Sequence, residues 1–131
     1  LVLGTGGVAR AAIIALQKCK STVHIAGRTN KKVRALATEY LCQVASEHDD
    51  PYDTIVQCTP VGMLGGNSPD GNALEILAPW VSLCPSMHVL DTVYVPEQTP
   101  LLLQADKSGC KITNGNTMFR LQAAAQQAIW S

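Results

Sequence analysis

Gly4-Thr5-Gly6-Gly7-Val8-Ala9 fits the pattern G-x-G-x-x-G/A, whose chemistry is the holding of phosphate anions. Gly4 permits a tight turn, Gly6 lets backbone N–H groups approach a pyrophosphate, and Ala9 lets the following helix pack close, with its N-terminus offering partial positive charge. The motif has this meaning only between a strand and a helix. Both neighbours are legible: Leu1, Val2 and Leu3 are an apolar stub of strand, and Val8, Ala11, Ala12, Ala15 and Leu16 recur at the three- and four-residue spacing of one helix face.

The second chemical signal lies where the next strand ends. Residues 22–26 (TVHIA) are short and rich in β-branched side chains, so they read as a mostly buried strand. In NAD-specific domains an Asp or Glu at the end of this strand holds the ribose 2′-hydroxyl. Here Gly27-Arg28-Thr29 takes that place, followed by Lys31 and Lys32. A carboxylate would repel a 2′-phosphate, whereas a guanidinium can stack on adenine and fork onto phosphate oxygens, and a lysine adds a point charge. The residues favour NADP(H), with at least one of Lys31 and Lys32 expected to be an ordinary solvated helix residue.

Other chemistry-bearing side chains carry weaker signals. His24 and His88 fall inside strands, where a packed or hydrogen-bonded histidine is the expectation, and His48 sits in an acidic loop, solvated. Five cysteines, Cys19, Cys42, Cys58, Cys84 and Cys110, form no CxxC pair and leave an odd total. That pattern opposes a disulfide framework and a metal site and points to reduced thiols in a cytoplasmic setting.

The elements that must position these groups follow the same rhythm. Thr29 or Asn30 caps a helix whose apolar members are Val33, Leu36, Ala37, Tyr40 and Leu41, residues 42–45 form a short third strand, and residues 54–58 (TIVQC) form a fourth. Residues 59–72 hold four glycines and two prolines and must be a long loop leaving that strand. Residues 74–83 read as partly helical, 87–93 as a fifth strand, 100–108 as a helix, 111–113 as a last strand and 116–130 as a closing helix. Strands separated by helices imply a doubly wound α/β domain with a parallel sheet of Rossmann type, strand order 3-2-1-4-5-6.

The whole chain is 131 residues with ten basic and ten acidic side chains, one domain's worth of material. Balanced charge removes the footprint of a nucleic-acid binder, and no apolar run reaches the roughly 18 residues of a membrane span. Charged residues make up 15%, against roughly 25% in soluble domains, which implies that part of the surface is normally covered. With Leu1 first and so little strand before Gly4, we expect a piece of a longer polypeptide.

Six strings occur in an order and spacing that resemble the C-terminal half of shikimate dehydrogenases: residues 4–10 (GTGGVAR), Gly27-Arg28-Thr29, Thr59-Pro60-Val61-Gly62-Met63, residues 91–96 (DTVYVP), Thr99-Pro100-Leu101-Leu102, and Gly115-x-x-Met118-x-x-x-Gln122. The resemblance spans essentially the whole chain. It implies reversible, NADPH-dependent reduction of the 3-keto group of 3-dehydroshikimate to shikimate, in aromatic amino acid biosynthesis. It also implies that Gly4, Thr5, Gly6, Gly7, Val8 and Ala9 cradle the pyrophosphate, that Arg28, Thr29 and Lys32 read the 2′-phosphate, that Thr59, Met63 and Val93 line the cofactor groove, and that Gly115 and Met118 meet the nicotinamide. Tyr94 and Gln122 would reach the substrate. Many members carry Asn-Arg-Thr in the triplet and arginine at the Lys32 position, so Gly27 and Lys32 depart from the common pattern.

The catalytic lysine and aspartate of the family lie in an N-terminal domain, so the resemblance places no catalytic residue and no metal ligand in these 131 residues. They are expected to be the NADP-binding domain and inert alone, the N-terminal half of the same polypeptide being the partner. Two other classes of function fit the residues: a different Rossmann reductase, such as a quinate/shikimate dehydrogenase using NAD or a glutamyl-tRNA reductase-like or methylenetetrahydrofolate dehydrogenase-like domain, and a non-catalytic dehydrogenase-like ligand sensor.

Overall fold

A computed structural model describes residues 1–130, the side chain of Trp130 excepted. Eleven elements follow one another: β1 (Val2–Leu3), α1 (Gly7–Lys18), β2 (His24–Ala26), α2 (Asn30–Tyr40), β3 (Gln43–Val44), β4 (Thr54–Gln57), α3 (Ala73–Leu77), β5 (His88–Asp91), α4 (Pro100–Lys107), β6 (Lys111–Thr113) and α5 (Gly115–Trp130). The strands form one six-stranded sheet in the order β3-β2-β1-β4-β5-β6, every pairing parallel. Both the fold class and the strand order are those read from the sequence.

Alternation along the strands divides the core. Leu1 and Leu3 join Ile55, Val89, Leu101 and Leu102 on one face of the sheet, under α3 and α4. Val2 points the other way, into Ala9, Ile13, Ile25, Val33 and Leu36 beneath α1 and α2. Successive strand side chains face opposite sides, so a parallel sheet covered on both faces needs apolar residues at every position.

Several local expectations give way to local physics. Helix α1 buries Ala9 and Ile13, with Val8, Ala11 and Ala15 outward; an alanine-rich helix is apolar around most of its circumference, so spacing alone does not select its buried face. Leu41 does not join the apolar face of α2. It ends the helix in the left-handed region, φ 55°, with its side chain 92% exposed. A leucine there carries backbone strain of about 1–2 kcal/mol and no compensating burial, so Leu41→Gly should raise the thermal unfolding midpoint by a few degrees; a lowered midpoint would contradict this. The stretch 74–83, read as partly helical, is helical as far as Leu77, because Pro79 drives Ala78 out of the helical region, to φ −145° and ψ 63°. Asn72 starts the helix, its side-chain oxygen accepting from Leu74 N and Glu75 N.

Helix α5 is different in kind. Phe119, Leu121 and Ile129 are 56%, 68% and 78% exposed, and of residues 115–129 only Gly115 is buried and only Asn116, Met118 and Ala123 are half-buried. Its large apolar side chains therefore stay mostly uncovered among the described residues.

Candidate functional site

In an open parallel sheet the crevice lies beyond the carboxyl ends of two strands whose connections run in opposite directions. Here those strands are β1 and β4, neighbours in the sheet; the chain leaves β1 toward β2 and β3, and leaves β4 toward β5 and β6. The glycine loop departs from β1 and the 59–72 loop from β4, so the two loops meet at one crevice. Gly4 is what lets them meet. It has φ +119°, and a Cβ on it would lie 3.1 Å from Thr59 Cγ2 and 3.3 Å from the Cys58 carbonyl.

Gly6 and Gly7 have no such packing reason. A Cβ built on either would have no atom within 4 Å, so both present bare backbone to open space at the start of α1. Gly6 is the N-cap, without a side-chain cap bond, which leaves the unpaired N–H groups of the first turn directed at the crevice. Ala9 is fully buried against the sheet, as close helix packing requires.

The crevice has two limbs. One is lined by Gly4, Thr5, Gly6, Gly27, Arg28, Thr29, Lys32, Thr59, Pro60 and Val61, with Asn67, Ser68, Ile76 and Leu77 opposite. At about 530 Å³ it lies within the few hundred to about a thousand Å³ of small-molecule sites. Arg28 and Lys32 sit in this limb with no hydrogen bond or ion pair among the described residues, and no carboxylate lines it. Lys31 does not line it, so one of the two lysines is the ordinary helix residue. Thr29 occupies the N-cap of α2 but its hydroxyl makes no cap bond, which leaves it available to the limb. Gly27 is close-packed: a Cβ would lie 2.9 Å from Val33 Cγ2 and 3.1 Å from Thr5 Cγ2, so here neighbouring side chains take the space a larger residue would need. Arg10 is committed elsewhere, to Glu39 at 2.7 Å and to the face of Tyr40.

The second limb is shallower and mostly apolar. Val8, Cys58, Thr59, Pro60, Met63, Leu64, Thr92, Val93, Tyr94 and Val95 line it. Cys58 touches both limbs; burial, with the Asp91 charge adding, pushes its thiol up to about 12, so it stays protonated and is no nucleophile at neutral pH. Asn67, Ser68, Ile76 and Leu77 were not marked by any motif. They reach the crevice through an irregular loop and a short helix, neither of which leaves a periodic trace in sequence.

The α5 residues stand apart from both limbs. Gly115 packs on the backbone leaving β5: its N–H donates to Val93 O at 3.2 Å, and a Cβ on it would lie 2.5 Å from the carbonyl oxygens of Thr92 and Val93. Met118 is half-buried and Gln122, one turn on, is exposed; neither lines the crevice. Phe119 stacks on Tyr94 at 5.8 Å between ring centroids, tying α5 to the second limb. Gly115→Ala should therefore destabilise the domain by about 1–3 kcal/mol through overpacking, read as a lower urea midpoint; an unchanged midpoint would mean that α5 shifts without cost.

The remaining candidates are occupied. His24 Nδ1 lies 2.8 Å from Asp49 Oδ2, and the Tyr52 hydroxyl donates to the same carboxylate. His88 Nε2 lies 2.7 Å from Thr113 Oγ1, and His48 is exposed beside Glu47. The five cysteines are free thiols. Among the described residues no acidic, His or Cys side chains cluster as a metal site, and no helix is long and apolar enough to cross a membrane.

No family model matches the chain. Individual proteins do. It is 34% identical over 137 residues to the shikimate dehydrogenase (NADP(+)) of Syntrophobacter fumaroxidans, covering 99% of this chain and 46% of that one. It is 37% identical over 141 residues to that of Archaeoglobus fulgidus, covering 100% and 50%. The structure of the Thermus thermophilus shikimate 5-dehydrogenase in complex with NADP(H) and shikimate superposes with TM-score 0.81 at 27% identity, covering 99% of this chain and 48% of the other. The quinate dehydrogenase of Corynebacterium glutamicum in complex with NAD superposes with TM-score 0.70 at 25% identity, over 88% and 43%. The chain spans about half the length of the curated relatives it matches. Along nearly its whole length, in sequence and in fold, the chain is similar to the cofactor-binding half of NADP-dependent shikimate dehydrogenases.

Proposed function

We propose that residues 1–131 are an NADP(H)-binding domain that works with an N-terminal half in the reversible reduction of 3-dehydroshikimate to shikimate. The observation that carries the reading is the pair Arg28 and Lys32, two cations without partners among the described residues, in a limb that no carboxylate lines. Unpaired cations beside bare helix N–H groups suit a dianionic phosphate and a pyrophosphate. The 2′-phosphate would lie against Arg28, Thr29 and Lys32, and the pyrophosphate over residues 4–9.

The nicotinamide would enter the second limb, between Met63 and Thr59 on one side and Val93 and Tyr94 on the other, with Gly115 behind the Val93 backbone and Met118 one turn along α5 from it. Bound NADPH supplies the hydride. The apolar lining of Val8, Met63 and Val93 excludes water from that end, and Tyr94 and Gln122, both exposed, are free to meet a substrate brought by the other half. The proton for the developing alkoxide would come from the lysine and aspartate of that half. Five free thiols suit a reducing compartment such as the cytoplasm.

Titration of the chain with NADPH and NADH tests the cofactor assignment. NADPH should bind more tightly, and Arg28→Ala should weaken NADPH by about ten- to a hundredfold, the worth of one charge-assisted contact, with NADH little changed. Equal affinities in the wild-type chain would overturn it and favour the NAD-using quinate dehydrogenase alternative.

A further inference from the structure

Three polar side chains that this reading leaves unused are among the most deeply buried in the chain. Gln57 and Asp91 are fully buried and Thr99 is 1% exposed. Gln57 ends β4 and Asp91 ends β5, and the parallel register sets them side by side. Gln57 Oε1 accepts from Thr59 N at 2.6 Å, while its Nε2 donates to Thr59 O at 2.9 Å and Val61 O at 3.1 Å and reaches Asp91 Oδ1 at 3.4 Å. Asp91 Oδ1 accepts from Val93 N at 2.9 Å, and its Oδ2 accepts from the Thr99 hydroxyl at 2.7 Å. Thr99 Oγ1 in turn accepts from Leu102 N at the start of α4.

Burying three polar groups, one of them a carboxyl, is costly unless all are satisfied. Among the described residues no buried side-chain polar atom lacks a partner. Well-packed apolar side chains would hold two strands at least as firmly. What they could not do is fix the direction of backbone groups in two loops at once. The loops gripped are those that form the second limb: 59–63 on one side, 92–99 on the other, also joined by Leu64 N donating to Val95 O at 2.8 Å.

We propose that Gln57, Asp91 and Thr99 form a buried clamp that positions the two loops of the nicotinamide end, so that these residues set affinity for that end of the cofactor without touching it. The inference rests on the NADP(H) reading. The Thr99 hydroxyl bonds Asp91 and Leu102 N and not the 59–61 backbone that both limbs share, and residues 92–95 line the second limb and not the first, so loss of that hydroxyl should be felt at one end of the dinucleotide.

The test compares Thr99→Val, which keeps the shape and removes the hydroxyl, with Thr99→Ser, which restores it, in the full chain by calorimetry well below each unfolding midpoint. NADPH reports both limbs and adenosine 2′,5′-bisphosphate reports the first alone. Thr99→Val should weaken NADPH about tenfold, the worth of a hydrogen bond to a charged group, and leave the bisphosphate unchanged; Thr99→Ser should return NADPH to near the wild-type value. Ile55→Val, a core change in the same sheet, controls for stability and should move neither affinity. Asp91→Asn serves the same comparison if Thr99→Val does not fold. An unchanged NADPH affinity, a parallel loss for both ligands, or an equal loss in Ile55→Val overturns the clamp alone. A wild-type chain that binds neither ligand overturns the cofactor reading and the clamp with it.

Discussion

Gly6→Val should abolish NADPH binding and leave the domain folded. The two halves of that expectation have separate grounds. Gly6 is in ordinary extended backbone, φ −86° and ψ −167°, and a Cβ there meets nothing within 4 Å, so a larger residue neither strains the chain nor clashes with it. The open space that tolerates the side chain is the space a pyrophosphate would need over the first turn of α1, where its oxygens would accept from backbone N–H groups. A valine there would hold the phosphates off by more than a hydrogen-bond length, which forfeits several contacts to a charged group at about 1.5–3 kcal/mol each, or at least a thousandfold in affinity. Circular dichroism and a urea midpoint near the wild-type value would report the fold, and NADPH fluorescence the binding. Normal binding would reduce the glycine loop to a turn. Gly4→Val is the contrasting case, because at φ +119° with Thr59 Cγ2 3.1 Å from the new Cβ it should lose the fold as well.

Part of this site is legible in the sequence alone. The glycine loop and the Arg28 to Lys32 segment are each contiguous and follow a strand directly, so residue type and local spacing were enough to mark both as candidates for binding a dinucleotide; the structure brings them to one crevice. The strand order followed from the alternation of strands and helices, since a doubly wound parallel sheet offers few other topologies. The buried face of α1 was not readable, because Ala11, Ala12 and Ala15 are as apolar as the Ala9 and Ile13 it buries. Nor were Ile76 and Leu77: only the path of the 59–72 loop brings α3 to the limb that Arg28 lines. Gln57, Asp91 and Thr99 escaped for a third reason. Asp91 and Thr99 each open one of the six strings, but nothing in the sequence links them to each other or to Gln57; the register of β4 on β5 and the Thr99 hydroxyl's bond to Asp91 make them one network.

The second large effect concerns turnover. The 131 residues should show no detectable reduction of 3-dehydroshikimate alone, and the polypeptide that also carries the N-terminal half should show it. Three observations support this. The proposed substrate contacts Tyr94 and Gln122 are exposed, so they lack the second wall that would hold a small polyol. Helix α5 leaves Phe119, Leu121 and Ile129 more than half exposed, apolar surface that a partner domain would bury and that should otherwise drive self-association; the side chain of Trp130 lies outside the described residues. The chain also matches only about half the length of its relatives. Hydride transfer needs the ketone held against the nicotinamide while a proton reaches the developing alkoxide, and a cofactor groove alone does neither. In the two-domain protein, Gln122→Ala should raise KM for shikimate by about tenfold, the loss of one or two hydrogen bonds to substrate hydroxyls, while KM for NADPH stays put, because Gln122 lies outside both limbs of the crevice. Varying each substrate in turn in steady-state assays separates the two effects. Turnover by the 131 residues alone, or a Gln122→Ala defect confined to NADPH, would show that the division of labour between the halves is not the one proposed.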